Sequence, residues 1–244
     1  MFWAAVVYNM KSMTEQTDTV PEHLGLILDG NRRWARERGL PVIEGHRQGV
    51  KTLKKVLKSS IKHGVRYVSA YVFSTENWKR DRDEVQALMK LFMWILKHEV
   101  KELDREGIRL RVVGSKLELG HALVKAIHEA EERTKDNDRG TLLLCLDYGG
   151  QQEIVDAVKR IAELGYPSEE ITPELISKFL YAPDVPPVDL VIRTSGEQRI
   201  SNFMLWESAY SELIFDKTKW PDFDEERLQA ALDEYANRHR RFGN

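Results

Sequence analysis

The stretch LGLILDGNRRWARERG sets a carboxylate, Asp29, at the end of an apolar run, followed by Gly30, Asn31, Arg32, Arg33 and Trp34. A strand ending at Asp29, a turn at Gly30 and a helix entered at about Asn31 would offer free N–H groups and a positive dipole end, which attract phosphate or diphosphate. Arg32 and Arg33 would add charge-assisted donors. A carboxylate repels an anion unless a cation stands between them. Mg²⁺ prefers one or two carboxylates together with phosphate oxygens and water, and so resolves the conflict. The same residues would also make a plain turn and cap with solvated arginines.

Three more clusters bear on that chemistry. In EGHRQGVKTLKK, Gly45, His46 and Gly49 open a helix, and His46 can donate to a phosphate oxygen or act as a structural cap. In YVFSTENWKRDRDEV, residues Ser74, Glu76, Asn77, Trp78 and Arg80 follow a strand and precede a helix. They suit either a lid or an exposed connection pinned by Trp78. In VIRTSGEQRISNFMLWESAYSELIF, Arg193, Arg199 and Ser201 suit an anion better than a neutral ligand, and Glu212 could complete a metal site with Asp29. Ordinary ion pairing would explain the last group equally well.

The elements that must hold these residues alternate between short Val/Ile/Leu-rich runs and amphipathic helical runs, the pattern of a mostly parallel sheet covered by helices. Strands are expected at 24–28, 65–73, 108–113, 142–146, 190–192 and 213–215, and helices at 50–63, 117–133, 154–164 and 227–241. From Val85 through Leu88, Met89, Phe92, Ile95, Leu96, Val100 and Leu103 the apolar positions step by three and four, which predicts the longest helix, with Lys90, Lys97, Lys101 and Glu102 facing away. Asp29, Ser74, Gly114, Asp147 and Arg193 all fall at the carboxyl ends of expected strands, the edge where open α/β sheets bind ligands.

The 244 residues carry 37 Lys and Arg against 39 Asp and Glu, a net charge of -2, so no basic surplus points to nucleic acid and any anion site is a local cluster. Cys145, the single cysteine, excludes an internal disulfide framework and a cysteine zinc site, and fits a reducing, cytoplasmic setting. Residues 1–22 read as a loose tail whose apolar stretch is too short to span a bilayer, with Met13 a candidate natural start. The remaining residues, 23–244, read as one domain. There is no DDxxD pair, no GxxxxGK[ST] loop and no GxGxxG fingerprint.

In ordered blocks from His23 to Gly243, the chain resembles the cis-prenyltransferases, the undecaprenyl and dehydrodolichyl diphosphate synthases. The blocks are HLGLILDGNRRWA, the Gly45–His46 pair, STENWKR, DYGG, DLVIRTSGEQRISNF, ELIF, WPDF and RRFG. The resemblance implies a single-domain, open, mostly parallel six-stranded α/β sheet flanked by helices and enclosing a hydrophobic tunnel. The implied activity is Mg²⁺-dependent cis condensation of isopentenyl diphosphate with an allylic prenyl diphosphate. Asp29 would be the essential Mg²⁺-linked carboxylate, with Gly30, Asn31, Arg32, Arg33, Trp34 and His46 at the allylic diphosphate. Arg193, Arg199, Ile200 and Ser201 would hold isopentenyl diphosphate, and Glu212 would be the second metal-associated carboxylate. Ser74, Thr75, Glu76, Asn77, Trp78 and Arg80 match the substrate-contacting loop. Asn77 matches the position assigned to proton removal, although a neutral amide is a poor base and suits orientation better.

A homodimer is implied as well, with the late ELIF to RRFG region supplying contacts or reaching a neighbouring site. The greasy product implies peripheral membrane contact without a spanning helix. The stripe from Leu88 to Leu96 would wall the tunnel. The chain departs from the family pattern at Val42, where many relatives carry Arg; at Arg32, where bacterial members usually carry Gly; at Asp147, a frequent Asn; and at Asp81, a frequent Pro. The competing class is a noncatalytic accessory subunit of a heteromeric prenyltransferase. Retention of Asp29, Asn31, Arg33 and His46 opposes it.

Overall fold

Strands rich in Val, Ile and Leu bury both faces only when helices cover both sides of the sheet, and that is the architecture found. The computed structural model describes residues 19–238. Six strands, β1 (His23–Ile27), β2 (Tyr67–Ser74), β3 (Ile108–Val113), β4 (Gly140–Tyr148), β5 (Leu190–Arg193) and β6 (Glu212–Phe215), form one sheet in the order β3-β4-β2-β1-β5-β6. Every neighbouring pair is parallel. All six expected strands are present. The tail is outside the described residues up to Asp18, as are Arg240, Arg241 and the rest of the closing RRFG.

Among the described residues the helices are α1 (Asn31–Glu37), α2 (Val42–Lys62), α3 (Arg82–His98), α4 (Val100–Arg105), α5 (His121–Thr134), α6 (Gly150–Glu163), α7 (Pro173–Phe179) and α8 (Glu225–Asn237). On one face, Leu24 and Leu26 of β1, Leu110 of β3 and Leu142 and Leu144 of β4 pack against Leu53, Val56 and Leu57 of α2 and Leu88, Phe92 and Leu96 of α3. The other face buries Ile27, Leu143, Cys145, Val191 and Phe203. Each such leucine taken out of water contributes about 1.5–3 kcal/mol.

Several helix ends shift by a few residues, and three departures are larger. The helix expected at 50–63 begins eight residues earlier, at Val42, and at 21 residues it is the longest element. Its Gly45 and Gly49 argue against a helix by propensity, but a Cβ on Gly45 would come within 2.1 Å of the Asn31 carbonyl oxygen and one on Gly49 within 2.4 Å of Asn31 Oδ1. The glycines are there to admit α1, and packing overrides propensity. The long amphipathic helix divides at Glu99 into α3 and α4. Glu102 does not simply face away, since it pairs with Lys54 at 2.5 Å and Lys58 at 2.8 Å on α2. Helix α7 was not anticipated despite its signal: Thr172 caps it by accepting from Leu175 N, with Pro173 in the first turn.

From β1 the chain builds outward to β2, β3 and β4, then returns to lay β5 and β6 on the opposite side of β1. The carboxyl ends of β1 and β5 flank that reversal, where open sheets leave a crevice.

Candidate active site

Asp29 stands two residues past the end of β1, and Arg193 is the last residue of β5. Because the strands are parallel neighbours, with Ile27 opposite Arg193, the two side chains meet, Arg193 Nη2 donating to Asp29 Oδ2 at 3.0 Å. The Asp29 carbonyl accepts from Thr194 Oγ1 at 2.7 Å and from Trp220 N at 2.9 Å, which fixes the carboxylate's base. Gly30 has φ +108, and a Cβ there would press to 2.9 Å from Lys219 and Ser195 Oγ, so only glycine makes this turn. Arg33 reaches Asp29 Oδ1 at 3.4 Å and Glu197 at 3.3 Å. The other branch of the Arg193 guanidinium donates from Nη1 to the Arg199 carbonyl at 2.5 Å and to Ser201 Oγ at 2.7 Å.

This pair lies at the polar mouth of a cavity of about 630 Å³. Asn31, His46, Ser74, Glu76, Asn77, Arg80 and Ser201 share the mouth, while Leu53, Leu57, Leu91, Phe92, Ile95, Val100, Leu103 and Leu144 line the remainder. Four buried polar atoms near the mouth have no hydrogen-bond partner among the described residues: Asn31 Oδ1, Arg32 Nε, His46 Nε2 and Arg193 Nε. Buried polar groups are nearly always paired, so a cluster of unpaired ones marks a place built for a polar ligand. Burial, reinforced by Arg80 and Arg32, pushes His46 down to about 4, so its imidazole is neutral at ordinary pH and has one ring N–H to donate.

The loop after β2 divides the residues expected of it. Asn77 Oδ1 accepts from Ser74 N at 3.2 Å, closing the turn, and Glu76 accepts from Asn202 Nδ2 at 3.1 Å. Arg80 is held by Glu84 at 3.1 Å, and Glu84 also takes Arg32 at 3.3 Å. Trp78 turns away from the cavity and pins the loop, donating to Asp147 Oδ1 at 2.7 Å and meeting Phe73 edge-on. Thr75, beside Gly149, is not in the cavity wall either. Trp34 and Arg38 both bond Asp222, so Trp34 serves the turn after β6 rather than a ligand. Arg199 and Ile200 stand outside the wall, Arg199 paired with Glu197 at 2.7 Å.

Glu212 is not brought to Asp29. It opens β6, level with Leu190 and hence with Leu24 at the start of β1, and it pairs with Arg238 at 2.7 Å. Asp29 lies five residues further along, about 16 Å at the usual rise of a strand. Within one chain, therefore, Glu212 cannot join the carboxylate of Asp29 on a shared ion. Gly114 and Asp147 also stay outside the cavity; Asp147, inside β4, accepts from Ser115 Oγ at 2.6 Å and from Trp78. Asp81 caps α3 by accepting from Asp83 N at 2.9 Å, which proline could not do.

The structure adds residues not singled out from sequence. Tyr71, Asn202 and Trp220 line the mouth, and Lys54 and Glu99, paired at 2.5 Å, line the deep end. Trp220, buried and donating from Nε1 to the Gly49 carbonyl at 2.9 Å, had a signal in the WPDF block. Asn202 stands one residue past Ser201 with φ +64, a backbone state invisible in residue type.

The family model described as putative undecaprenyl diphosphate synthase matches residues 27–243. The chain belongs to the cis-prenyltransferase family. It is 47% identical over 226 residues to an isoprenyl transferase of Thermotoga maritima, covering 92% of this chain and 97% of that one. It is 45% identical over 230 residues to the trans,polycis-polyprenyl diphosphate synthase of Thermobifida fusca, described as (2Z,6E)-farnesyl diphosphate specific, covering 93% and 82% respectively. Among solved structures, the lavandulyl diphosphate synthase of Lavandula x intermedia, crystallised with dimethylallyl diphosphate, superposes with a TM-score of 0.89 at 34% identity over 93% of this chain and all of that one. As a cis-prenyltransferase the chain is a prenyl-transferring enzyme, and its polar mouth above an apolar barrel suits prenyl chain elongation.

Proposed function

We propose that the enzyme condenses isopentenyl diphosphate with an allylic prenyl diphosphate such as farnesyl or geranylgeranyl diphosphate, in the cis sense, to give a polyprenyl diphosphate. The observation that carries this reading is the Asp29–Arg193 pair, ringed by unpartnered polar atoms, at the opening of an apolar cavity.

The donor set fits Mg²⁺ held mostly by substrate oxygens. Asp29 is one carboxylate at the mouth, and no group of three or more His, Cys, Asp or Glu side chains among the described residues forms a resident site. When bound with the diphosphates, the ion neutralises their oxygens. Arg193 Nε and Ser201 Oγ would take the isopentenyl diphosphate, while Asn31, His46 and Arg32 would hold the allylic one. Their positions are set before substrate arrives, so stabilising the departing diphosphate's charge needs little reorganisation. Asn77, its Oδ1 already engaged by Ser74 N, orients the reacting group, leaving a diphosphate oxygen or water to receive the proton. Leu91, Phe92 and Ile95 exclude water from the growing chain.

A homodimer belongs to the same proposal. Since Glu212 is remote from Asp29 in its own chain, any part it plays beside a diphosphate would be at the mouth of a second copy. No helix among the described residues is long and apolar enough to cross a membrane, which agrees with peripheral contact.

The purified enzyme, given farnesyl diphosphate and labelled isopentenyl diphosphate with Mg²⁺, is expected to form longer labelled lipids, and chelation of the metal is expected to stop it. Failure of the purified protein to extend any allylic diphosphate would support the accessory-subunit reading instead.

A further inference from the structure

Helices α3 and α4 separate two environments. Their inner positions, Leu88, Leu91, Phe92 and Ile95, line the cavity. Their outer positions from Lys90 onward are Lys90, Trp94, Lys97, His98, Lys101 and Arg105, all exposed. These fall at i, i+4, i+7, i+8, i+11 and i+15, one face of a helix. None of them is acidic.

Most acidic side chains on and beside the same two helices are drawn off that face by ion pairs, and Asp83, exposed two turns before Lys90, is the exception on the face itself. Glu84 binds Arg80 and Arg32, Glu99 and Glu102 bind Lys54, Glu106 binds Lys58, and Asp104 binds Arg133. Lys90, Lys97 and Lys101 have no ion pair among the described residues. In a chain of net charge -2, this is a local concentration of unneutralised positive charge. Trp94, 47% exposed, sits at its centre with its ring stacked on His98 at 5.0 Å and 17°. An indole there covers no core, and in a soluble setting it exposes apolar area without return.

We propose that the outer face of α3 and α4 docks on an anionic lipid bilayer, with Lys90, Lys97 and Lys101 at the headgroup phosphates and Trp94 inserted at the interface. The charge is complementary to acidic headgroups, and tryptophan favours the boundary between apolar chain and water. Inner and outer faces are one helix thick, so the wall that touches the growing lipid is the wall set against the membrane that would receive it. The inference rests on the proposed polyprenyl product for its purpose and on the outer face alone for its geometry.

The test uses the full chain in flotation with vesicles of phosphatidylcholine, with and without phosphatidylglycerol. Wild type is expected to float with the anionic vesicles and not with the neutral ones, and to be released by high salt. Removing each lysine charge should weaken partitioning about five-fold, so the Lys90→Gln, Lys97→Gln, Lys101→Gln triple variant should lose roughly a hundred-fold. Trp94→Phe should remove the tryptophan quenching caused by brominated lipid. Extension of a short allylic diphosphate without vesicles should be unchanged in both variants. Equal flotation of wild type and the triple variant, equal binding to neutral vesicles, or binding to RNA without binding to vesicles would overturn the docking surface. Lysine-dependent flotation by a protein that forms no extended lipid would leave the surface standing and remove the assigned reaction.

Discussion

Both faces of this sheet bury ionisable side chains, and they treat them in opposite ways. At the mouth, beside Asp29, the side chains of Arg193, Arg32 and His46 are packed so that bonding atoms remain unused. Behind the sheet, Glu153 accepts from Tyr148 OH and from Tyr181 N at 2.9 Å, and shares a hydrogen bond with Glu207. Tyr181 OH donates to Asp156 at 2.6 Å. Burial raises both glutamates, helped by the charge of Glu153 at Glu207 and of Asp156 at Glu153; Glu207 rises to about 8, so the pair keeps a proton that one carboxyl can offer the other. One cluster is closed on itself and holds the fold. The other is left open toward a cavity, which is what binding a ligand requires.

Asp29→Ala is the severest way to break this contrast, with turnover expected to fall about a thousand-fold or more because both metal affinity and the poise of Arg193 depend on that carboxylate. The side chain is 29% exposed, so water can partly replace it around Arg193 and the stability cost should stay at about 1–2 kcal/mol. Thermal melting followed by circular dichroism, alongside the condensation assay, checks both halves. Near-normal turnover would refute the site. Arg193→Lys comes next, expected to cost about a hundred-fold in kcat/KM for isopentenyl diphosphate. Lysine keeps the charge but cannot bridge Asp29, Ser201 and the Arg199 carbonyl together.

Ile95→Trp probes the cavity below the mouth, where Ile95 stands with Leu88, Leu91 and Phe92 in the wall. Filling the barrel there should shorten the product, read by mass analysis, while the first condensation changes by less than about ten-fold. The residues that bind diphosphate lie on other elements. An unchanged product length would mean that the chain grows elsewhere.

How much of this was legible in residue types follows from how local each feature is. The central strands could be read because runs such as LLLCL are apolar at every position, as burial on both faces demands, and β3 because IRLRVV alternates with a period of two. Asp29 and Arg193 could be assigned to one edge because each ends a strand, and parallel pairing then made them meet. The start of α2 is legible only in part: Gly45, His46 and Gly49 open a helix, but the apolar period begins at Val50, and glycines argue against helix until Asn31 is packed on them. The remoteness of Glu212 from its own chain's Asp29 was hidden for a related reason. Its type suits a metal, but the register of β6 against β5 sends it to the wrong end of the sheet, and register is a tertiary fact. Trp78 was ambiguous until Asp147, distant in sequence, proved to be its acceptor.

The mildest intervention addresses the closed cluster. Glu207 has its folded pKa raised to about 8 above an ordinary value of 4.5. The proton it retains therefore stabilises the fold fully below about pH 4.5, and that contribution is lost as pH rises toward and through about 8. Glu207→Gln supplies a neutral donor of nearly the same shape. It should flatten the decline in melting temperature between neutral and alkaline pH, and at high pH the variant should melt above wild type. Turnover at neutral pH should stay within about two-fold, because the cluster reaches the mouth cavity's wall through Tyr148, whose carbonyl meets the Tyr71 hydroxyl at 3.3 Å and which pairs with Ser74 in the sheet, and not through Glu207. A variant that lost activity as severely as Asp29→Ala would erase the distinction between an open and a closed polar cluster. A melting profile that kept the wild-type slope would show that the two carboxyls do not share a proton.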